Sequence, residues 1–175
     1  MECPGYDARV LKGTALQYAV SSRGACHLRA RVQVLELTGV VDRLELEGKG
    51  RLVKDREDLF TVFDSLIVCK FALPIFEIAD IAKAYRYATG CSLSEEEILT
   101  IGERIVNLER LFNVREGVSR EWDTLPERVL FHPNQGIVTS KEELNTMLNE
   151  YYKLRGWDLE TGKPTFEKLR RLNLL

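Results

Sequence analysis

Ser94-Glu95-Glu96-Glu97-Ile98-Leu99-Thr100-Ile101-Gly102-Glu103-Arg104-Ile105-Val106-Asn107-Leu108-Glu109-Arg110-Leu111-Phe112 carries the clearest structural signal in the chain. Ser94 places a hydroxyl ahead of an apolar run and Glu97 follows three residues on, the reciprocal pattern that caps a helix N-terminus. Ile98, Ile101, Ile105, Leu108 and Phe112 then recur at helical spacing, so this stretch reads as a helix that ends near Gly117 and buries that stripe. Arg104, Asn107, Glu109 and Arg110 share the helix and leave two readings open, a buried polar network or an interdomain contact.

The same logic extends in both directions. Ser140-Lys141-Glu142-Glu143 opens another capped helix through Leu144, Leu148 and Tyr151 to about Arg155, where Gly156 stops it. Thr165 or Pro164 opens a short last helix through Leu172. Upstream, Ile75–Ala88 alternates apolar groups with Glu77, Asp80, Lys83 and Arg86 and ends at Gly90. After Gly48 and Gly50, Leu52 through Leu66 and Ile67 carry a long helical pattern to Cys69, and Pro74 closes that region. Leu11, Ala15, Leu16, Ala19 and Val20 predict a helix over 11–22, followed by a break at Gly24. Residues 32–37 alternate like a strand, yet no pairing partner lies nearby, so helix or turn is preferred. Met1–Asp7 reads as a loop, and Arg120–Gly136 as a surface loop or short turns. The expected fold is all-α and multihelical, two closely packed helical subdomains with a break near 72–92.

Composition narrows the function. The 175 residues are 45% hydrophobic, enough for a sizeable core, with a net charge of -2. That balance argues against nucleic acid as a partner, and Lys168, Arg170 and Arg171 read as a solvated helix face. No stretch is long and apolar enough to span a bilayer, and no charged leader opens the chain, so a cytoplasmic protein without a membrane partner is expected. Cys3, Cys26, Cys69 and Cys91 lie far apart, which favours free thiols over disulfides or a self-contained zinc site.

Two segments hold the residue types that do chemistry. Phe63-Asp64-Ser65-Leu66-Ile67-Val68-Cys69-Lys70-Phe71 combines a carboxylate, a thiol and an ammonium. Arg23-Gly24-Ala25-Cys26-His27-Leu28-Arg29 places a histidine just after a glycine break. On an unbroken helix Asp64 and Cys69 would diverge by about 140° and address two adjoining objects. A carboxylate accepts paired hydrogen bonds from a planar heterocycle, and a thiolate, favoured by Lys70, ligates iron. The plainer alternative is a surface or capping Asp64 and a Cys69 buried among Ile67, Val68 and Phe71. His27 is either a proton carrier or a packed core residue; His132 reads as exposed and inert. One cysteine and one histidine make at most part of a metal site.

Taken in order, several segments resemble successive motifs of the tungsten-dependent aldehyde:ferredoxin oxidoreductase family. They are Glu2-Cys3-Pro4-Gly5-Tyr6-Asp7-Ala8-Arg9, Tyr18–Ala30, Asp64-Ser65-Leu66 through Cys69-Lys70-Phe71, Gly102–Asn113, Leu125-Pro126-Glu127-Arg128 and Met147–Asp158. The resemblance covers essentially the whole chain and implies the C-terminal helical part of such an enzyme, residues 1–175, without the N-terminal cofactor-binding domain. It implies that Asp64 holds one pterin of a tungsten bis-pterin (tungstopterin, a molybdopterin-type cofactor), lined by Val68 and Lys70. Cys69 becomes the last thiolate of a [4Fe-4S] cluster and His27 the catalytic histidine near metal and aldehyde. The implied reaction converts a small aldehyde and water to a carboxylate, with electrons leaving through the cluster to ferredoxin.

The chain departs from the family in places. The C-x-x-C-x-x-x-C group that supplies the other cluster ligands is missing, as is the second pterin-binding segment. Asp7-Ala8-Arg9 stands where the family has aspartate–proline–arginine, and Ile67 stands where glycine is common. The chain alone is therefore expected to bind neither cofactor and to be inactive. The alternative is a non-catalytic split subunit or helical interaction module that docks to a separate N-terminal half, with self-association through the uncovered apolar surface.

Overall fold

The computed structural model describes residues 3–72, 75–131 and 139–175. Pro74, His132, Pro133 and Gly136, all of which figure in the sequence reading, lie outside the described residues. The helices are α1 (Lys12–Val20), α2 (Val32–Leu37), α3 (Lys49–Ser65), α4 (Ile78–Thr89), α5 (Glu95–Arg115), α6 (Glu127–Leu130), α7 (Lys141–Arg155) and α8 (Phe166–Arg171). Among the described residues no strand forms, so the all-α expectation holds, and the ambiguous 32–37 segment is helical.

Local chemistry sets the boundaries. Ser94 Oγ accepts from the Glu97 N–H at 3.1 Å while the Glu97 carboxylate accepts from the Ser94 N–H at 2.8 Å, and Ser140 and Glu143 repeat this box at α7. Each box satisfies N–H groups that the helix itself cannot. Gly90 and Gly156 end α4 and α7 in the left-handed region, which only glycine enters freely.

The central helix is α3, packed against α1, α5 and α7. It meets α5 tightly at Gly102, where a Cβ would collide with the Asp58 backbone. The main core joins α1, α3, α5 and α7 through Leu16, Val53, Val106, Met147, Tyr151 and Trp157. A smaller cluster, Val62, Phe63, Ile81 and Ile98, joins the end of α3 to α4 and the start of α5.

The apolar stripe assigned to the core of α5 is only partly inside. Ile98 is buried, but Leu108 and Phe112 are each 55% exposed, and Gly102, Val106, Asn107 and Arg110 take the inner face instead. The polar residues turn inward because they have partners. Trp157 Nε1 donates to Asn107 Oδ1 at 2.8 Å, and Arg110 donates to the Gly162 carbonyl at 2.8 Å and to Asp123 at 2.9 Å. Hydrogen-bonded in this way, they escape most of the penalty of burial, which is the buried-network reading of this helix.

Candidate functional site

The segment between α1 and α2 carries His27, and side chains from four helices and a neighbouring turn hold it by its carbonyls. Asn113 on α5 donates to the Ser22 carbonyl (2.8 Å), Gln17 on α1 to Cys26 (2.6 Å) and Gln33 on α2 to His27 (3.1 Å). Lys70 donates to Leu28 (2.8 Å) and Arg56 on α3 to Ala30 (3.2 Å). Irregular backbone at the edge of a core must have its polar groups satisfied, and here fixed donors satisfy them. Helix α1 is itself buried throughout and lacks a cap of its own. Glu36 of α2 supplies one, accepting from the N–H groups of Gly13 (2.7 Å) and Thr14 (3.0 Å) and from the Thr14 hydroxyl (2.7 Å).

Asp64 lies on the last turn of α3, which ends at Ser65. The helix does not continue to Cys69, so the 140° divergence expected for an unbroken helix does not apply. The chain instead closes in a Schellman turn: Val68 N–H reaches the Phe63 carbonyl at 3.0 Å and Ile67 N–H the Asp64 carbonyl at 3.1 Å. The turn requires a left-handed residue, and Ile67 occupies it at φ +58°. Val68 tucks against the smaller cluster, while Ile67 is 94% exposed and Cys69 is exposed as well. The plainer alternative, a Cys69 buried among Ile67, Val68 and Phe71, is therefore not what the fold produces. With Val68 anchored, the thiol is left outside.

The two segments meet through cations. Lys70 Nζ lies 2.7 Å from Asp64 Oδ2 as well as bonding the Leu28 carbonyl. Its ammonium is therefore turned to Asp64 and Leu28, a different role from the thiolate support expected for Cys69. Arg29 adds a weaker pair to Asp64 at 3.7 Å and a closer one to Glu109 of α5 at 3.3 Å. Arg31 donates to the Lys70 carbonyl at 3.2 Å and stacks over Phe71 at 5.0 Å. His27 is half-buried with its ring 5.5 Å from that of Tyr6. In the same opening motif, Asp7 and Arg9 close a bidentate ion pair across buried Ala8, so the turn forms without the proline.

Sequence reasoning missed Arg29, Gln17, Gln33, Arg56 and Asn113. Gln17 had a signal: one amide inside the apolar run of α1 must find partners when buried, and it accepts from Val32 N–H at 3.0 Å besides donating to Cys26.

The family model described as aldehyde ferredoxin oxidoreductase, domains 2 and 3, matches residues 1–174. The chain belongs to this family. It is 37% identical over 183 residues to the tungsten-containing aldehyde ferredoxin oxidoreductase of Pyrococcus abyssi, and equally so to that of Pyrococcus horikoshii. The enzyme of the same name from Pyrococcus furiosus is 36% identical over 185 residues. Each alignment covers 99% of this chain and 30% of the relative, so the chain spans under a third of the length of these oxidoreductases.

The relatives' names specify tungsten, and the donors present here are of the kinds expected from the sequence. An exposed thiol and an exposed, cation-oriented carboxylate are donors suited to a cluster and a heterocycle. Among the described residues no three His, Cys, Asp or Glu side chains converge as a metal-binding group. Nor is any helix among them long and apolar enough to cross a membrane.

Proposed function

We propose that this chain is the C-terminal helical part of an aldehyde oxidoreductase that converts small aldehydes and water to carboxylates and passes electrons to ferredoxin. The observation that carries the reading is the joint anchoring of the His27 segment and the Asp64–Cys69 turn by Lys70. It holds three chemically suited side chains in neighbouring segments of one fixed scaffold.

When bound, the tungstopterin supplies two-electron oxidation and the [4Fe-4S] cluster carries electrons onward singly. This chain's residues do the rest. Asp64, fixed by Lys70 and Arg29, accepts hydrogen bonds from the ring N–H and amino groups of one pterin, which Val68 and Lys70 line. Cys69 contributes one thiolate to the cluster. His27 orients the aldehyde oxygen and carries a proton on an imidazole nitrogen. The other cluster ligands come from the N-terminal part, so the chain alone binds neither group and is inactive. The reading keeps two helical subdomains with a break near 72–92, at the α4 segment that the smaller cluster joins to α3 and α5.

The exposed apolar side chains Ile67, Phe71, Ile75, Leu108 and Phe112 favour an N-terminal partner, in the same polypeptide or as a separate cytoplasmic subunit, with self-association when it is missing. Anaerobic incubation of the chain with iron and sulfide tests the reading, with no stoichiometric four-iron cluster expected. In the enzyme completed by its N-terminal part, Cys69→Ser is expected to lose cluster iron, Asp64→Asn to lose pterin, and His27→Gln to keep both while kcat falls at least tenfold. A stable cluster on the chain alone, or a fully active His27→Gln enzyme, contradicts it.

A further inference from the structure

A small cavity of about 20 Å3 lies where α3, α5 and the segment carrying His27 meet. Ser22 and Arg29 of that segment, Glu57 and Thr61 of α3, and Glu109 and Asn113 of α5 supply its polar lining. The volume suits a single water, for which roughly 10–15 Å3 suffices.

The lining holds one donor without an acceptor and several acceptors with capacity left. Arg29 Nε is buried and has no hydrogen-bond partner among the described residues. The same guanidinium is engaged through Nη1, which lies 3.3 Å from Glu109 and 3.7 Å from Asp64. A charged group buried with a donor unmet is costly, so a partner for Nε is required. Among the described residues the bonds to the Glu57 carboxylate, from the Tyr151 hydroxyl at 2.5 Å and Arg155 at 2.9 Å, both end on Oε2. That leaves Oε1 as an acceptor. Asn113 donates its amide N–H to the Ser22 carbonyl, which leaves its Oδ1. Arg110 also lines the cavity, but its donors go to Gly162, Asp123 and Tyr152.

Charge selects the occupant. The guanidinium groups of Arg29 and Arg110 repel a metal ion, and the carboxylates of Glu57 and Glu109 repel an anion. What fits is a neutral molecule that both accepts and donates. We infer that the cavity is a binding site for one ordered water, which accepts from Arg29 Nε and donates to two of the facing acceptors on Glu57, Glu109 and Asn113. Three such bonds are usual for a buried water. Ser22, Arg110 and Asn113 also line a larger groove of about 860 Å3, which gives the water a way in. Bound there, it braces the guanidinium whose Nη1 faces Asp64 and joins the His27 segment to α3 and α5. The inference needs neither tungsten nor cluster.

The test is water–protein cross-relaxation by nuclear magnetic resonance on the isotope-labelled chain, read at the Arg29 Nε–H, which Arg29→Lys identifies by its loss. A bound water is expected to give a cross-peak opposite in sign to the diagonal in the rotating frame, whereas exchange with solvent gives the same sign. Val106 lines the cavity, and Val106→Ile adds a methyl group that displaces the water, so the cross-peak is expected to vanish while the amide spectrum stays folded. Thr61→Val and Ser22→Ala should keep it, since neither lining hydroxyl then relays the signal. An exchange-type peak alone, or no cross-peak, in the wild-type chain overturns the inference. So does a cross-peak that survives Val106→Ile at full strength, or one lost in Thr61→Val or Ser22→Ala. Should Val106→Ile fail to fold, the sign of the wild-type cross-peak and the two hydroxyl variants still decide.

Discussion

Lys70 Nζ sits 2.7 Å from Asp64 Oδ2 and 2.8 Å from the Leu28 carbonyl, so one ammonium ties the end of α3 to the segment carrying His27. Asp64 is partly exposed, so the ion pair alone is worth at most about 1 kcal/mol. The value of Lys70 therefore lies in holding two segments together more than in global stability. Lys70→Met is expected to lower stability by about 1 kcal/mol. It should speed amide exchange in residues 26–30 and 66–72 while leaving the centre of α3 protected. Exchange mass spectrometry checks this, and a uniform rise across all helices would speak against a local clamp.

Ile67 is the one position of the turn where residue and conformation disagree. A left-handed L-residue costs roughly 1–2 kcal/mol, and β-branching makes this worse. Its side chain is almost wholly exposed, so deleting it forfeits little burial. Glycine costs about 0.5–1 kcal/mol of unfolded-chain entropy, which leaves a net gain. Ile67→Gly is expected to stabilise the chain by about 0.5–1 kcal/mol and raise Tm by roughly 1–4 °C. Urea and thermal unfolding check it; an unchanged or lower midpoint means the side chain has a contact that offsets the strain.

Gly102 sets the distance between the two helices that carry the Asp64 and Arg29–Glu109 contacts. A methyl at this position meets the Asp58 carbonyl, which is backbone and has nowhere to move. Gly102→Ala gains helix propensity of about 1 kcal/mol, but overpacking of a close crossing costs typically 1–3 kcal/mol. Because the clash is with backbone, the upper part of that range applies, about 2–3 kcal/mol, and net destabilisation of about 1–2 kcal/mol is expected in urea unfolding. A neutral or more stable variant would show that α3 and α5 shift apart freely.

Much of this architecture was legible because local chemistry and tertiary structure agree. The boxes at Ser94 and Ser140 and the stops at Gly90 and Gly156 are local rules, and the helices begin and end there. The buried face of α5 was read wrongly because periodicity ranks Leu108 and Phe112 as core. In the fold Asn107 and Arg110 take the inside, since Trp157, Asp123 and Gly162 come from far along the chain to satisfy them. The site divides in the same way. Asp64, Cys69 and His27 stand out by residue type and motif, whereas the donors that hold the His27 segment come from separate helices and show no spacing signal. The left-handed turn at Ile67, which ends the helix before Cys69, was hidden because the residue there is the wrong one for it.

Acid stability should be traceable to Glu103. Burial alone would raise its pKa, but the Lys168 ammonium at 2.5 Å, with Lys54 and Arg155 nearby, holds it below the ordinary glutamate value of 4.5. Burial draws Lys168 itself below the ordinary lysine value, yet in acid it stays protonated folded or unfolded, so the acid limb belongs to the carboxylate. Because the native pKa is lowered, the unfolded chain binds more protons in this window and stability rises with pH there. The contribution is complete above the ordinary glutamate value and is lost as pH falls through the native one. Glu57 runs the other way, its pKa raised by burial despite Arg155, so its share fades as pH rises through its native value. Glu103→Gln is therefore expected to lower the urea midpoint at pH 6 and to shrink the difference between pH 6 and pH 3.5. The comparison with wild type cancels the exposed turns at Asp7, Asp42 and Asp158, whose carboxyls are also lowered. An acid slope unchanged by Glu103→Gln would move the acid sensitivity to those turns and away from the contact between α5 and α8.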